Sequence, residues 1–132
     1  MDIKRKISVK SDLDVVTTRM QAREIAKEMG FQTADQARIS LATSELARML
    51  SWNTDVPGEI LISETNDNGH RGFQVLCRVE AEFLAVSENA QESTLASMPQ
   101  QSLTGARRLV DESVVEPQGE KYILVKLVKW LK

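Results

Sequence analysis

The chain has 132 residues, of which 42% are hydrophobic and 27% charged, and its formal net charge at pH 7 is −2. These values predict one soluble globular domain with its own core, and they give no basic surface for nucleic acid or an anionic membrane. A single cysteine and a single histidine exclude an internal disulfide and a zinc cluster. No apolar segment has membrane-spanning length and no signal peptide is visible, so we expect the chain in the cytoplasm.

The first two predicted elements are an edge strand and a helix. Ile3 to Val9 alternate apolar and polar side chains, and the lysines among them discourage pairing with another sheet. Ser11 or Asp12 is expected to cap a helix that runs to Met29 and ends at Gly30 in the left-handed conformation.

This first helix is predicted to be amphipathic. The residues expected on its buried face are Leu13, Val16, Met20, Ala22, Ile25, Ala26 and Met29. Arg19, Arg23 and Lys27, each four residues apart, lie on another face among Glu24 and Glu28. Two interpretations of these cations stay open: a solvated face with weak ion pairs, which residue types alone favour, or a basic stripe that docks a partner.

The stretch from Thr33 to Trp52 predicts a second helix around which the chain is organised. Thr33 and Gln36 have the spacing of a capping box at its start. Its predicted core stripe is Ile39, Ala42, Leu46 and Leu50.

Glu45 lies inside that stripe. A carboxylate next to a buried face is costly unless it has a partner or a task. On residue types alone, a structural ion pair with Arg48 or Arg38 is favoured over a catalytic role.

The middle of the chain predicts an antiparallel hairpin. Its strands are Glu59 to Glu64 and Phe73 to Val79, and the turn-forming residues 65–72 join them. His70 is expected at the loop tip in solvent, and Cys77 is expected to be a small buried hydrophobe.

The last third begins with a polar connection over residues 81–101, of a length typical of lids. A third helix is predicted from Ser102 to Glu112, and two strands follow at Ser113 to Glu116 and Lys121 to Leu131, with residues 117–120 as their turn. The last strand has apolar residues on both sides, which indicates a central place in the sheet.

This order of elements predicts an α+β fold for a single domain over residues 1–132. We expect a two-layer α/β sandwich, with three main helices on one face of a mixed, mostly antiparallel sheet of about five strands.

Several segments spread along the chain share a further pattern. They are Asp14 to Val16 with Arg19 and Arg23, Ala26 to Phe31, Asp35 to Ile39, Ser44 to Arg48, Gly105 to Glu112 and Val128 to Leu131. As a set they resemble the RsbT-type switch kinases, which belong with the anti-sigma-factor serine kinases in the GHKL ATPase superfamily. The resemblance implies a histidine-kinase-like ATPase fold of the Bergerat type.

The resemblance assigns two positions in the second helix to nucleotide chemistry. In that family a Glu orients or activates a nucleophile, and an Asn four residues later coordinates magnesium. Glu45 matches the Glu, but Met49 occupies the Asn position. A thioether is a poor ligand for a hard cation, so the resemblance implies a missing or weakened magnesium site.

The family's adenine-binding box, Asp-x-Gly-x-Gly, is also altered here. Its Asp position is Val79, and its glycine positions are Ala81 and Phe83. Glu80 or Glu82 would replace the Asp only after a one-residue slip, which would exchange the faces of the strand.

The family's glycine-rich lid, which cradles phosphates, corresponds to residues 97–105 and keeps a single glycine, Gly105. Because three nucleotide elements depart together, we expect that ATP binding is lost. Residues 81–101 then form a degenerate lid that is mobile or folded over the vacant pocket, with Phe83 and Met98 as candidates to fill it.

The function implied by the resemblance is regulation in a bacterial partner-switching system of the anti-sigma or stressosome type, as in stress responses. Arg19, Arg23 and Lys27 would dock a STAS-domain antagonist or stressosome scaffold, a PP2C-type phosphatase regulator or a sigma factor, without nucleic acid, membrane or cofactor. A homodimer is left open.

Two other functions stay open. The first is an active ATP-dependent serine/threonine-protein kinase that uses Glu45 with ATP and magnesium to phosphorylate a STAS-domain antagonist. The second is a regulatory or dimerisation domain of a longer chain.

Overall fold

The computed structural model describes residues 2–51, 58–80 and 103–131. Its elements are β1 (Asp2–Val9), α1 (Asp12–Met29), α2 (Thr33–Ser51), β2 (Gly58–Asp67), β3 (His70–Glu80), β4 (Glu112–Gln118) and β5 (Tyr122–Trp130). A short helical segment also covers residues 103–108. The strands form one sheet in the order β1-β2-β3-β5-β4, and all neighbours pair antiparallel. The predicted α+β fold is confirmed, with β1 at an edge and β5 inside the sheet.

Helices α1 and α2 pack against each other, and both also contact the sheet: α1 contacts β1, and α2 contacts β1, β2 and β3. The predicted stripe of α2, made of Ile39, Ala42, Leu46 and Leu50, is fully buried. Ser40, Thr43 and Ser44 are buried as well, and their hydroxyls donate to carbonyls one turn back in the same helix. Each of these three hydroxyls of α2 therefore has an acceptor. Because of this, α2 can be covered on two sides without leaving them unpaired.

The helix ends differ partly from the prediction. Gly30 has φ 101° and, with Phe31, donates to the carbonyls of Lys27 and Ala26 as expected for a Schellman motif. The capping box at Thr33 is wrong, because Thr33 lies within α2 and the Gln36 amide donates to the Phe31 carbonyl instead.

At the start of α1, Ser11 is the N-cap residue, but its side chain makes no capping bond. The Asp14 carboxylate accepts from the Lys10 backbone N–H at 2.8 Å instead. The chain before the helix is therefore fixed by a residue inside the first turn.

The hairpin turn is much shorter than the predicted loop over residues 65–72. Only Asn68 and Gly69 leave the ladder, both with positive φ of 52° and 88°, as a tight Asn-Gly turn requires. Asn66 accepts from the Gly69 N–H and holds this turn. His70 is exposed as expected, but it is the first residue of β3 rather than a loop tip.

The predicted helix over Ser102 to Glu112 is too long. Helical structure covers 103–108, and the chain then bends so that Asp111 can bond to β5. The Asp111 N–H donates to the Val128 carbonyl, and its carboxylate accepts from the Trp130 N–H at 2.8 Å. Sheet contacts therefore override helix propensity at this point.

None of the helices described in the structure has the length and hydrophobicity that crossing a lipid bilayer requires.

Lys129 is a buried cation on the helix-facing side of β5, with 8% of its surface exposed. Its Nζ lies 3.1 Å from Asp111 Oδ1 and 3.8 Å from Asp35 Oδ1. Asp35 also binds Arg38 at 2.9 Å. This network ties the start of α2 to β5 and to Asp111, which precedes β4, and it offsets the desolvation of the Lys129 ammonium.

We expect Asp111→Ala to lower the free energy of unfolding by about 3 kcal/mol, because it leaves the Lys129 charge buried beside a more distant carboxylate. Lys129→Met removes the charge and keeps the apolar volume, so its cost should stay below about 1 kcal/mol. Urea unfolding followed by circular dichroism measures both. If Lys129→Met lowers the free energy of unfolding as much as Asp111→Ala does, the ion-pair network stabilises the fold by more than the neutralisation of one buried charge.

Candidate functional site

A cleft of about 470 Å³ lies at the C-terminal end of α2, beside one end of the sheet. It is lined by the end of α2, the first residues of β2, the second half of β3, the end of β4 and the start of β5. Its apolar base includes Met49, Cys77 and Val79, and its polar lining includes Arg78 and Gln118.

Met49 and Val79 line this cleft together. These are the positions that the resemblance assigns to the magnesium ligand and to the adenine acceptor, and both side chains are buried. Neither offers an oxygen: valine has no acceptor, and the methionine sulfur is soft. The residues at these positions therefore do not fit a magnesium ion, and no group of three or more potential metal ligands occurs among the described residues.

Glu45 does not line the cleft. Its carboxylate lies 3.4 Å from Arg48 Nη1, and 18% of its side chain is exposed. The expected structural pair with Arg48 is therefore present, whereas Arg38 pairs with Asp35 instead.

Gly105 lies in the helical segment 103–108 and does not line the cleft. A Cβ added to it would meet nothing within 4 Å, and its φ is not in the left-handed region. The structure gives no local reason for a glycine at this position. Ala81, Phe83 and the degenerate lid over residues 81–101 lie outside the described residues.

The side of the cleft formed by β3 and β5 carries a cation–π contact. The Arg78 guanidinium lies 5.0 Å from the centre of the Tyr122 ring, on the neighbouring strand. Such a contact holds a positive charge at a fixed place. Because side chains alternate along a strand, this charge lies on the face of the sheet opposite to Cys77 and Val79. Sequence reasoning did not single out either residue, since their contact depends on the β3–β5 register.

Among the described residues, a buried thiol and the two members of a surface ion pair have clearly shifted pKa values, for different reasons. Burial raises the pKa of the Cys77 thiol to about 12. On the strands away from the cleft, hydrogen bonds from Arg71 at 2.8 and 3.1 Å lower the pKa of the Glu64 carboxyl. The first shift marks an inert thiol at the base of the cleft, and the second marks an exposed structural pair.

The cationic stripe predicted on α1 is present. Arg19, Arg23 and Lys27 are all exposed, and within the described part of the chain no ion pair joins them to a carboxylate. Their charges are therefore available at the surface.

The predicted buried face of α1 is wrong in its first half. Leu13, Val16 and Met20 are exposed by 74%, 45% and 67%. The buried residues of α1 are Val15, Thr18, Ala22, Ile25, Ala26 and Met29. The helical period reveals this, because positions 15, 22 and 29 share one face while position 13 lies on the opposite one.

No protein-family model matches the chain. Among curated proteins, serine/threonine-protein kinase RsbT of Bacillus subtilis is 30% identical over 129 residues, which span 96% of this chain and 96% of RsbT. Among solved structures, a chain in the crystal structure of the SiaB–SiaC complex from Pseudomonas aeruginosa matches with a TM-score of 0.61. That match covers 96% of this chain and 90% of the other at 10% identity, so it supports the fold.

The shifted thiol leads to a pH prediction. Unfolded Cys77 titrates near its ordinary pKa of 9.0, whereas the folded thiol keeps its proton up to a pKa of about 12. Above pH 9 the unfolded state alone loses this proton, so the stability contributed by the buried thiol is present below pH 9 and falls as pH rises toward 12. The loss for the wild type relative to Cys77→Ala should grow above pH 9 and approach about 1.4 kcal/mol per pH unit between pH 10 and 11.

Urea unfolding of both proteins at pH 8, 9, 10 and 11 measures this difference. Parallel pH profiles for the wild type and Cys77→Ala would contradict the shifted pKa of the thiol.

Proposed function

The chain belongs to the RsbT-like family, and on that basis we propose that it is a regulatory protein of a bacterial partner-switching system of the anti-sigma or stressosome type. It acts by binding other proteins, and it has lost ATP binding. The single observation that carries this proposal is the cleft itself, where Met49 and Val79 stand at the positions assigned to the metal ligand and the adenine acceptor.

The cleft chemistry supports loss of nucleotide. An adenine amino group needs an acceptor at the Val79 position, and magnesium needs oxygen ligands at the Met49 position. Both positions instead present buried apolar surface. A polar ligand held there would lose hydrogen bonds to water without recovering them from these two side chains.

The outer face of α1 supports the protein-binding part of the proposal. Arg19, Arg23 and Lys27 form an exposed cationic stripe that takes no part in the described ion pairs. The partners proposed for it are a STAS-domain antagonist or stressosome scaffold, a PP2C-type phosphatase regulator, or a sigma factor.

A second candidate function is an active serine/threonine-protein kinase. It is favoured by the activity in the name of RsbT, which matches this chain along nearly its whole length, and by the presence of Glu45. Against it, Glu45 pairs with Arg48 and does not line the cleft.

Nucleotide binding separates the two functions. We expect titration calorimetry to detect no binding of ATP or ADP with magnesium at millimolar concentration, which means an affinity weaker than about −4 kcal/mol. Bacillus subtilis RsbT, measured in the same buffer, is the matched control. Magnesium-dependent binding, with phosphotransfer to a STAS-domain protein that is lost in Glu45→Ala, would establish the kinase instead.

Charge reversal tests whether the cationic stripe of α1 binds partner proteins. The double variant Arg19→Glu, Arg23→Glu should bind purified STAS-domain, phosphatase-regulator or sigma-factor partners at least about tenfold more weakly, because rim charges oriented toward a partner become repulsive. Arg108→Glu, another exposed arginine, is the control and should leave affinity unchanged. If all partners retain their affinity for the double variant, α1 is not the docking surface.

A further inference from the structure

The exposed apolar residues of α1 continue directly into its cations. Positions 13, 16, 20, 23 and 27 recur at spacings of three and four, so they form one stripe along the helix. Its first half is Leu13, Val16 and Met20, and its second half is Arg23 and Lys27, with Glu24 beside them, so the cations outnumber the carboxylate there. We call this surface the two-part stripe.

The two-part stripe is outside the core of the chain. The opposite face of α1 carries the residues buried against the rest of the fold, from Val15 to Met29. Exposed apolar side chains are common singly, but three adjacent ones at helical spacing form a patch that indicates an interaction site. The acidic residues of the first turn, Asp12 and Asp14, lie at the apolar end, so charge changes sign along the helix.

We propose that the two-part stripe docks one amphipathic helix of a partner protein, with an acidic N-terminal half and an apolar C-terminal half, running antiparallel to α1. The proposal rests on the proposed function and specifies the chemistry of the partner. Apolar residues of the partner helix would cover Leu13, Val16 and Met20, and its carboxylates would meet Arg23 and Lys27.

The antiparallel direction follows from electrostatics. Acidic residues stabilise the N-terminal end of a helix and destabilise its C-terminal end, through the helix dipole. A partner helix whose acidic half is N-terminal places that half over Arg23 and Lys27 only when it runs opposite to α1. The same direction sets its C-terminal end beside Asp12 and Asp14, where cations are favoured.

A second copy of α1 does not fit the same surface. In an antiparallel pair centred near Met20, the apolar half of each helix would face the cationic half of the other. In one centred near Val16 the apolar halves would meet, but Arg23 and Lys27 of each copy would extend beyond the other helix, which begins at Asp12. In a parallel pair, Arg23 and Lys27 would lie next to their own copies, and like charges in contact are destabilising.

The size of the surface also argues against a stable dimer. Helix α1 has 18 residues, so it is about 27 Å long, and a helix is about 10 Å across. A single face of that size is small beside the roughly 1,600 Å² of a standard stable interface. A surface of this size suits a transient complex.

The test uses the full chain and a fluorescein-labelled synthetic helical peptide. The peptide carries glutamates at N-terminal positions and leucines at C-terminal positions, in the three-and-four spacing of α1. Fluorescence anisotropy should give micromolar affinity, at least about tenfold tighter than for a peptide of the same composition with the two halves exchanged.

Variants locate the contact. Met20→Glu should weaken binding at least about tenfold, whereas Leu41→Glu, at an exposed leucine of α2, should leave it unchanged. Arg23→Glu should weaken the acidic peptide and strengthen a peptide whose glutamates are replaced by lysines. Circular dichroism and urea unfolding check that each variant is folded.

Three results would overturn the proposal: equal affinity for the two peptides, full affinity in Met20→Glu, or a dimer in analytical ultracentrifugation that Met20→Glu dissociates. Its failure is distinct from failure of the proposed function. If the peptide does not bind while STAS-domain or phosphatase-regulator proteins do, only the helical chemistry of the partner is wrong. If the peptide binds and none of those proteins does, the surface stands and the partner-switching function fails.

Discussion

The burial of α2 on two sides is the constraint on which the rest of the structure depends. A helix that packs both on a sheet and on another helix must present apolar, small or internally bonded side chains around most of its circumference. Ser40, Thr43 and Ser44 meet this demand by donating to their own helix. Glu45 is tolerated only because it lies at the margin, where Arg48 and solvent reach it. Helix α1 packs on α2 and on β1, so it buries one face and leaves the opposite face exposed.

Much of the fold could be predicted because local chemistry decides it. The left-handed Gly30, the stripe from Ile39 to Leu50 and the edge position of β1 each follow from a few neighbouring residues. The end of the third helix could not be predicted, because Asp111 bonds to Val128 and Trp130 far along the chain. Long-range pairing of this kind overrides propensity without leaving a local sign in the sequence.

The candidate site also combines features that the sequence predicts with features that it does not. The positions of Met49 and Val79 were available from the sequence through the family resemblance, and the fold brings both to one cleft. The contact between Arg78 and Tyr122 was not, since it requires the register of β3 against β5. The exposure of Leu13, Val16 and Met20 was available from the helical period. It was missed because Leu13, Val16 and Met20 were assigned to the face of Ala22 and Met29, while Val15, which shares that face, was left out.

Met49 also gives a physical reason why this cleft need not hold a ligand for the domain to fold. A buried asparagine without an ion leaves polar atoms without partners, which costs about 1–3 kcal/mol. Methionine at the same place contributes apolar contacts and adapts to irregular space. The two surfaces can change independently, because no residue of α1 lines the cleft. A substitution that makes the cleft apolar stabilises the core and leaves the two-part stripe of α1 unaltered.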